Sequence, residues 1–350
     1  MMNKLLLIGF GMMCLNTFAQ DTVKIKTALT PEQEAENAYN AGLEYMSKKD
    51  FNGAIENFSK AISLNPAFDK AYTNRGFAKF ENKGYEASIL DFNKSIQLKA
   101  LNLDAFFGKA QSFYAMKKTD SCMAYLNKVT LMDEAYSKAF YLSGQIKFEA
   151  EQYKEAVADY NNAIASKADF AYAYNDRASA KKMLGDEVGA MADYEKAVAL
   201  DPKLFFAFNN LGSCKRNKGD NLGAIVSYNA AIGLKSDYYI AFNNRGVSKL
   251  NANDFTGAIS DFTSALRYKV DYTLAMNNMA SVYIKKKDYK SAIEWANKAI
   301  QADAKCGAAY LNRGIAKQML KDEDGACTDW KKASELGVAE GKNYSAGLCD

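Results

Sequence analysis

Residues of this chain recur at a fixed spacing of 34 positions, and this recurrence constrains the fold more than any other feature. Nine copies follow one another without an insertion, starting at residues 35, 69, 103, 137, 171, 205, 239, 273 and 307. The alanines that mark the spacing are Ala54, Ala156, Ala190, Ala224, Ala258, Ala292 and Ala326. A period of this length predicts a supersecondary unit that buries its apolar face only by stacking on its neighbours.

Each copy pairs a small residue at its position 8 with a large one at position 24, counting from the copy's first residue. Position 8 is glycine or alanine in all nine copies, as in Gly76, Ala178 and Gly246, and position 24 is aromatic in seven of them. Two helices approach closely where one presents a small residue and the other fills the remaining space with a ring. Pairs such as Gly185-Asp186 and Lys287-Asp288 between these positions predict the turn.

These residues resemble the tetratricopeptide repeat, and the resemblance covers residues 35–340. It implies an all-α fold, a right-handed α-solenoid of nine 34-residue helix-turn-helix repeats. The phase of the pattern continues beyond Gly337, so residues 338–350 are expected to form a capping helix and tail. The chain looks like an exported bacterial member of this family.

The amino-terminal residues predict export from the cytoplasm. A basic start is followed by the apolar run Leu5 to Leu15 and by small residues before Gln20, so residues 1–19 read as a signal peptide cut after Ala19. The alternative, an uncleaved membrane anchor, needs about 18 apolar residues. We expect a periplasmic or extracellular protein with no membrane span after cleavage, and a flexible lead-in over residues 20–34.

Five cysteines follow the predicted cleavage site, so at least one thiol is unpaired within the chain. Cys327 lies on the second helix of the ninth copy and Cys349 on the predicted cap. A disulfide between them would fasten the end of the stack. The alternative is that both are small core residues.

An arginine recurs at position 7 in four copies, each with an aspartate at position 23 of the same copy. The four predicted pairs are Arg75 with Asp91, Arg177 with Asp193, Arg245 with Asp261, and Arg313 with Asp329. Copies with an apolar position 7, such as Leu211 and Met279, lack the aspartate. We therefore predict structural ion pairs that join the first helix to the second within a copy.

Asparagines mark the face on which a ligand is expected. The resemblance implies that the first helix of each copy lines a concave groove, and four consecutive copies carry asparagine at position 5: Asn175, Asn209, Asn243 and Asn277. Position 6 adds Asn210, Asn244 and Asn278, position 2 adds Tyr172, Phe206, Ile240 and Leu274, and position 12 adds Lys182 and Arg216. An amide both donates and accepts, so a row of them suits the peptide units of an extended ligand. The row is similar to the asparagine ladder of O-linked N-acetylglucosamine transferase; the alternative is that these amides bond within the scaffold.

Composition excludes several classes of function. The net charge is +4 with no run of five like charges, so no nucleic-acid partner is expected. Histidine is absent, and we find no nucleophile with a base and no phosphate loop, so we predict no enzyme, metal or cofactor. The leading hypothesis is a non-catalytic scaffold that binds an extended peptide segment of a protein partner. The alternative is a structural spacer in an envelope or secretion complex that uses its ends and convex face.

Overall fold

The computed structural model describes residues 29–349, which form nineteen α-helices: nine helix-turn-helix pairs and one further helix after them. They fall into two compact units that divide after Ala100. The first unit holds α1 (Pro31–Ser47), α2 (Phe51–Leu64), α3 (Asp69–Glu81) and α4 (Tyr85–Leu98). The second holds α5 (Leu103–Ala115), α6 (Thr119–Met132), α7 (Ser137–Glu149), α8 (Tyr153–Ser166), α9 (Ala171–Met183), α10 (Glu187–Leu200), α11 (Phe205–Asn217), α12 (Asn221–Leu234), α13 (Tyr239–Asn251), α14 (Phe255–Tyr268), α15 (Thr273–Lys285), α16 (Tyr289–Ala302), α17 (Gly307–Met319), α18 (Glu323–Glu335) and α19 (Ala339–Leu348).

The turn inside each copy contains a left-handed residue, and in six of the nine copies an aspartate then caps the second helix. Gly185, for example, has a φ of 82°, and the carboxylate of Asp186 then accepts a hydrogen bond from the backbone N–H of Gly189. A capping aspartate satisfies an N–H that has no partner within the helix and stabilises it by about 0.5–2 kcal/mol. Lysine takes the left-handed position in several copies, as at Lys287, with a φ of 62°.

The predicted contact between positions 8 and 24 is confirmed. A Cβ added to Gly246 would lie 2.6 Å from the nearest atom of the Phe262 ring, closer than side chains pack. The ring itself is completely buried. Glycine at position 8 is therefore what lets the second helix of the copy lie against the first.

Within each unit, the second helix of one copy packs against the first helix of the next. Between α14 and α15, Ala258 and Phe262 form one core cluster with Ala275, Met279 and Val282. The repeated alanines are almost all fully buried. This is the stacking that the 34-residue spacing predicts, and the fold is that of a tetratricopeptide-repeat solenoid.

At the amino-terminal end, the structure corrects the predicted lead-in. Helix α1 begins at Pro31, so residues 31–34 are helical and not part of a flexible segment. Thr30 accepts from the Gln33 backbone while the Gln33 side chain accepts from the Thr30 backbone, which is a complete capping box. Residues 1–28, with the predicted signal peptide, lie outside the described residues. Over residues 29–349, none of the helices is long and apolar enough to cross a membrane.

At the carboxyl-terminal end, α19 packs on α18 as the predicted cap. The rings of Trp330 and Tyr344 stack with their centroids 4.9 Å apart. The sulfur atoms of Cys327 and Cys349 are bonded, so the disulfide ties the end of the chain to the ninth copy. Of the other cysteines in the described part of the chain, Cys122 and Cys214 are buried and Cys306 is half-buried.

Candidate functional site

Four apolar side chains at position 2 form a row along the first helices of copies five to eight. They are Tyr172, Phe206, Ile240 and Leu274, which we call the apolar row. Tyr172 is 46% exposed and Leu274 is 55% exposed, while the other two are half-buried. The Tyr172 and Phe206 ring centroids lie 5.7 Å apart, so the first two members contact one another. The row is a partly exposed apolar strip that crosses several repeats.

A second row of side chains lies beside the apolar row, because positions 2 and 6 are one turn apart on the same helix face. In copies six to nine, the side-chain amide nitrogen at position 6 donates to the side-chain carbonyl oxygen at position 5 of the preceding copy. The bonds run from Asn210 to Asn175 at 3.2 Å, from Asn244 to Asn209 at 3.0 Å, from Asn278 to Asn243 at 2.9 Å and from Asn312 to Asn277 at 2.8 Å. We call these eight residues the amide ladder. It connects copies five to nine through side chains alone.

The structure corrects the expectation that the position-5 amides lie open to a ligand. Asn175, Asn209 and Asn243 are only 4%, 6% and 5% exposed, and their oxygens already accept from the next copy. A buried amide is stabilised by such a bond, so the ladder holds adjacent first helices in register. The position-6 amides are half-buried and border the apolar row.

Copy five departs from the ladder pattern because its position 6 is Asp176. The Tyr141 hydroxyl donates to Asp176 at 2.7 Å, and the Asn175 amide donates to it at 2.9 Å. Burial raises the pKa of the Asp176 carboxyl above its ordinary value. Within the described part of the chain, no cationic side chain lies within ion-pair distance of this carboxylate.

Lys182 and Arg216 at position 12 lie near the carboxyl ends of α9 and α11. Both are half-buried, and neither forms an ion pair with the carboxylates of residues 29–349. They leave positive charge on the first helices of copies five and six. A neighbouring acidic group would be attracted to it.

The four predicted ion pairs all form, and each is bidentate. In the second pair, Arg177 donates to Asp193 through Nε at 2.8 Å and through Nη2 at 2.6 Å. The corresponding Nη2 bonds are 2.7 Å from Arg75 to Asp91, 2.6 Å from Arg245 to Asp261 and 2.6 Å from Arg313 to Asp329. The aspartates are nearly buried, so each pair joins the two helices of a copy at its core edge.

Two members of these networks were missed from the sequence. A lysine at position 11, one turn after the arginine, also reaches the aspartate, as Lys249 does to Asp261 at 2.9 Å. The third arginine nitrogen donates to position 25 of the preceding copy, as from Arg245 to Asn229 at 2.6 Å. The predicted pairing within a copy is therefore also a bond between copies. The sequence did contain a signal for this lysine, because Lys recurs at position 11 in the copies that carry the aspartate.

The described residues contain no group of three or more His, Cys, Asp or Glu side chains placed to hold a metal ion. The functional face is instead defined by rows of apolar and amide side chains that repeat from copy to copy. Such a face is suited to recognising an extended chain along several repeats.

Comparison with known proteins agrees with this architecture. One family model described as "TPR repeat" matches residues 42–83, and another described as "Tetratricopeptide repeat" matches residues 141–204 and 243–305. Among curated proteins, none matches the chain.

Solved structures with the same fold have low sequence identity. The Cut9-Hcn1 hetero-tetramer of the APC/C aligns over 93% of this chain and 78% of the matched chain, with a TM-score of 0.58 and 14% identity. PilF of Pseudomonas aeruginosa aligns over 61% of this chain and 98% of its own, with a TM-score of 0.52 and 20% identity. A tetratricopeptide repeat protein from Parabacteroides merdae aligns over 68% and 94%, with a TM-score of 0.50 and 16% identity. At these identities the likeness concerns the fold alone.

Repeats of this kind generally form protein-binding scaffolds and are typically non-catalytic. The nine sequence copies, the paired helices and the matching family models lead to one assignment. This chain is a tetratricopeptide-repeat protein.

Proposed function

We propose that this protein binds an extended peptide segment of a protein partner across the first helices of copies five to eight. The observation that carries the proposal is the apolar row, whose members are exposed or half-buried at one repeat position on four consecutive first helices. Apolar side chains of the ligand would pack on Tyr172, Phe206, Ile240 and Leu274. Burying such a side chain contributes about 1.5–3 kcal/mol.

The amide ladder contributes to this function mainly through rigidity. Because Asn209 accepts from Asn244 and Asn243 accepts from Asn278, adjacent first helices are held in register before a ligand binds. Pre-organisation lowers the entropy cost of binding. The half-buried position-6 amides border the row and offer donors and acceptors to a ligand backbone.

The proposal is tested by selecting extended peptides on the full chain from a random library and measuring their affinity for two double variants. The first variant combines Tyr172→Ser with Leu274→Ser on the apolar row. The matched control combines Val188→Ser with Val226→Ser, which are 70% and 67% exposed on the second helices α10 and α12. All four residues are solvent-exposed, so both variants are expected to keep wild-type stability within about 0.5 kcal/mol per site.

We expect the first variant to lose at least about tenfold in affinity, since two apolar contacts are removed, and the control to bind as the wild type does. Loss of binding in the control alone would favour the spacer hypothesis, in which partners contact the second helices. Failure to select any peptide would count against an extended ligand.

We also propose that the protein acts outside the cytoplasm. The disulfide between Cys327 and Cys349 supports this location, because such bonds persist in oxidising compartments. Cell fractionation with mass determination of the mature chain tests it. Cleavage after Ala19 and an oxidised cysteine pair are expected, and a reduced, full-length protein in the cytoplasm would contradict it.

A further inference from the structure

A cavity of about 190 Å³ lies between copies four and five, beside the first member of the apolar row. Its lining comes from α7, α8 and α9: Gln145, Phe148, Glu149, Tyr160, Asp176 and Ser179. The volume is several times the ~30 Å³ that one water molecule occupies in the liquid. Asp176 is one helical turn after Tyr172, so the cavity and the apolar row share a helix face.

The Tyr160 hydroxyl lines this cavity without a hydrogen-bond partner among residues 29–349. Tyr160 as a whole is only 1% exposed. The equivalent tyrosines of the next two copies are satisfied: Tyr194 bonds Ser179 at 2.9 Å, and Tyr228 bonds Ser213 at 3.2 Å. The Tyr160 hydroxyl is therefore available to accept a hydrogen bond from a group that enters the cavity.

The difference between the copies arises at position 9. Copies five and six carry serine there, whereas copy four carries Gln145, whose amide donates to Tyr141 at 3.0 Å. The longer side chain bonds Tyr141, and the Tyr160 hydroxyl is left facing the cavity.

The charge of the cavity is negative. Asp176 and Glu149 both line it, and no ion pair joins either carboxylate to a lysine or arginine of the described chain. The position-6 carboxylate is particular to copy five, since position 6 is asparagine in copies six to nine. The rings of Phe148 and Tyr160 complete the lining.

We propose that this cavity receives the guanidinium or ammonium group of an arginine or lysine side chain in the bound peptide. Carboxylates, an acceptor hydroxyl and aromatic rings are the groups that bind such a cation. The inference rests on the proposed function, because the cation arrives on a peptide that lies along the apolar row. It adds a charge requirement at one end of that row.

The test compares two fluorine-labelled pentapeptides with identical valine-rich flanks, one with a central arginine and one with citrulline, its neutral isostere. Their affinities for the full chain are measured by ligand-observed NMR. We expect the arginine peptide to bind about tenfold more tightly, as a hydrogen bond to a charged group contributes about 1.5–3 kcal/mol. Free arginine amide serves as a third probe, and we expect it to bind far more weakly than the peptide, since it lacks the flanks.

Three variants locate the effect. Asp176→Asn gives copy five the amide found at this position in copies six to nine and should bring the two affinities within about twofold of each other. Asp324→Asn removes one exposed negative charge on α18 and should leave the preference intact. Tyr160→Phe removes no existing hydrogen bond, so it should fold with an unchanged melting temperature while weakening the arginine peptide by about threefold.

Equal affinity for the two peptides in the wild type would overturn the inference while leaving the peptide-binding proposal standing. Retention of the preference in folded Asp176→Asn would also overturn it. If free arginine amide binds as tightly as the arginine peptide, the cation does not need to arrive on a peptide, and that part of the inference is wrong. Binding of neither pentapeptide overturns the inference too, and the library selection then decides the proposed function independently.

Discussion

Arg245 and Asp261 are joined by two parallel hydrogen bonds, of 2.9 Å from Nε and 2.6 Å from Nη2. The carboxylate also accepts from Lys249 and is 2% exposed, whereas both cations reach solvent. Two helices of one copy and the preceding copy meet at this point, since Arg245 also donates to Asn229. The pair therefore joins the two helices of copy seven and links them to copy six.

Replacing Asp261 by alanine is expected to destabilise the protein. The change leaves Arg245 and Lys249 without their shared partner, and breaking a buried pair costs about 3–5 kcal/mol. Because the two cations are partly solvated, we expect the lower end of that range. Urea denaturation measures it, with Asp271→Ala, an exposed aspartate without an ion pair, as the control. An unchanged unfolding midpoint for Asp261→Ala would contradict the structural role of the pair.

Copy six suggests how the same site is built without charge. It carries Leu211 and Ser227 where copy seven carries Arg245 and Asp261. The double variant Arg245→Leu with Asp261→Ser should recover more than half of the stability lost in Asp261→Ala, because no unpaired arginine is left. The same denaturation series compares them, and a double variant less stable than the single one would show that the site requires the ion pair.

Gly246→Ala is expected to be destabilising although alanine is the better helix former. Its new methyl group would lie 2.6 Å from the Phe262 ring, and overpacking costs about 1–3 kcal/mol against a gain of about 1 kcal/mol in helix propensity. Adding Phe262→Leu should restore stability, because copy three already pairs Ala110 with Leu126. Thermal unfolding measures the stability of the Gly246→Ala variant and of the double variant with Phe262→Leu. A stabilised Gly246→Ala protein would mean that the helices are not in close contact there.

The helix starts show how much of this fold could be predicted from the sequence. The first helices from α3 onward begin at the residues predicted from the 34-residue spacing, because the small and aromatic residues fix the register of every copy. Helix α1 begins earlier than predicted, at Pro31, since the Thr30–Gln33 capping box was not recognised. Caps are local signals that the repeat pattern does not contain.

The candidate site was less predictable. The Arg245–Asp261 pair follows from covariation within a copy, but the bond from Asn278 to Asn243 depends on how far successive copies rotate as they stack. No spacing within one copy fixes that distance. The cavity beside Tyr160 depends on the direction that the Gln145 side chain takes, which only the packed structure specifies.

Asp176 gives a prediction for pH. Burial raises its pKa above the ordinary value of 3.8, so the folded state keeps this proton to higher pH than the unfolded state does. Ionisation of the Asp176 carboxyl therefore lowers the stability of the folded state as the pH rises above the unfolded-state pKa, and this cost is present at neutral pH. An asparagine at this position does not ionise, so it does not have this cost.

We accordingly expect Asp176→Asn to be more stable than the wild type at pH 7, with the difference shrinking toward zero as the pH falls below 4. Chemical denaturation of both proteins from about pH 3 to pH 7 measures the difference, and the comparison cancels the titration of shared groups. A variant that is less stable than the wild type at pH 7 would show that the hydrogen bonds of the carboxylate outweigh its burial.

The disulfide should stabilise the capping helix. It links Cys327 to Cys349 across 22 positions of sequence, and closing a loop of that size lowers the entropy of the unfolded chain by an amount equivalent to about 3 kcal/mol. Cys349→Ser should therefore accelerate amide hydrogen exchange in α19 while leaving α9 to α15 unchanged. Equal exchange in α19 with and without the bond would mean that stacking of Tyr344 on Trp330 holds the cap by itself.

The central claim is that a partner peptide lies on the apolar row of the first helices, and photo-crosslinking tests it most directly. A benzophenone side chain is placed at Leu274 on α15 or at Val226 on α12, which are 55% and 67% exposed. A peptide selected on the wild-type protein should crosslink at position 274 and not at position 226. Crosslinking at position 226 alone would contradict the account.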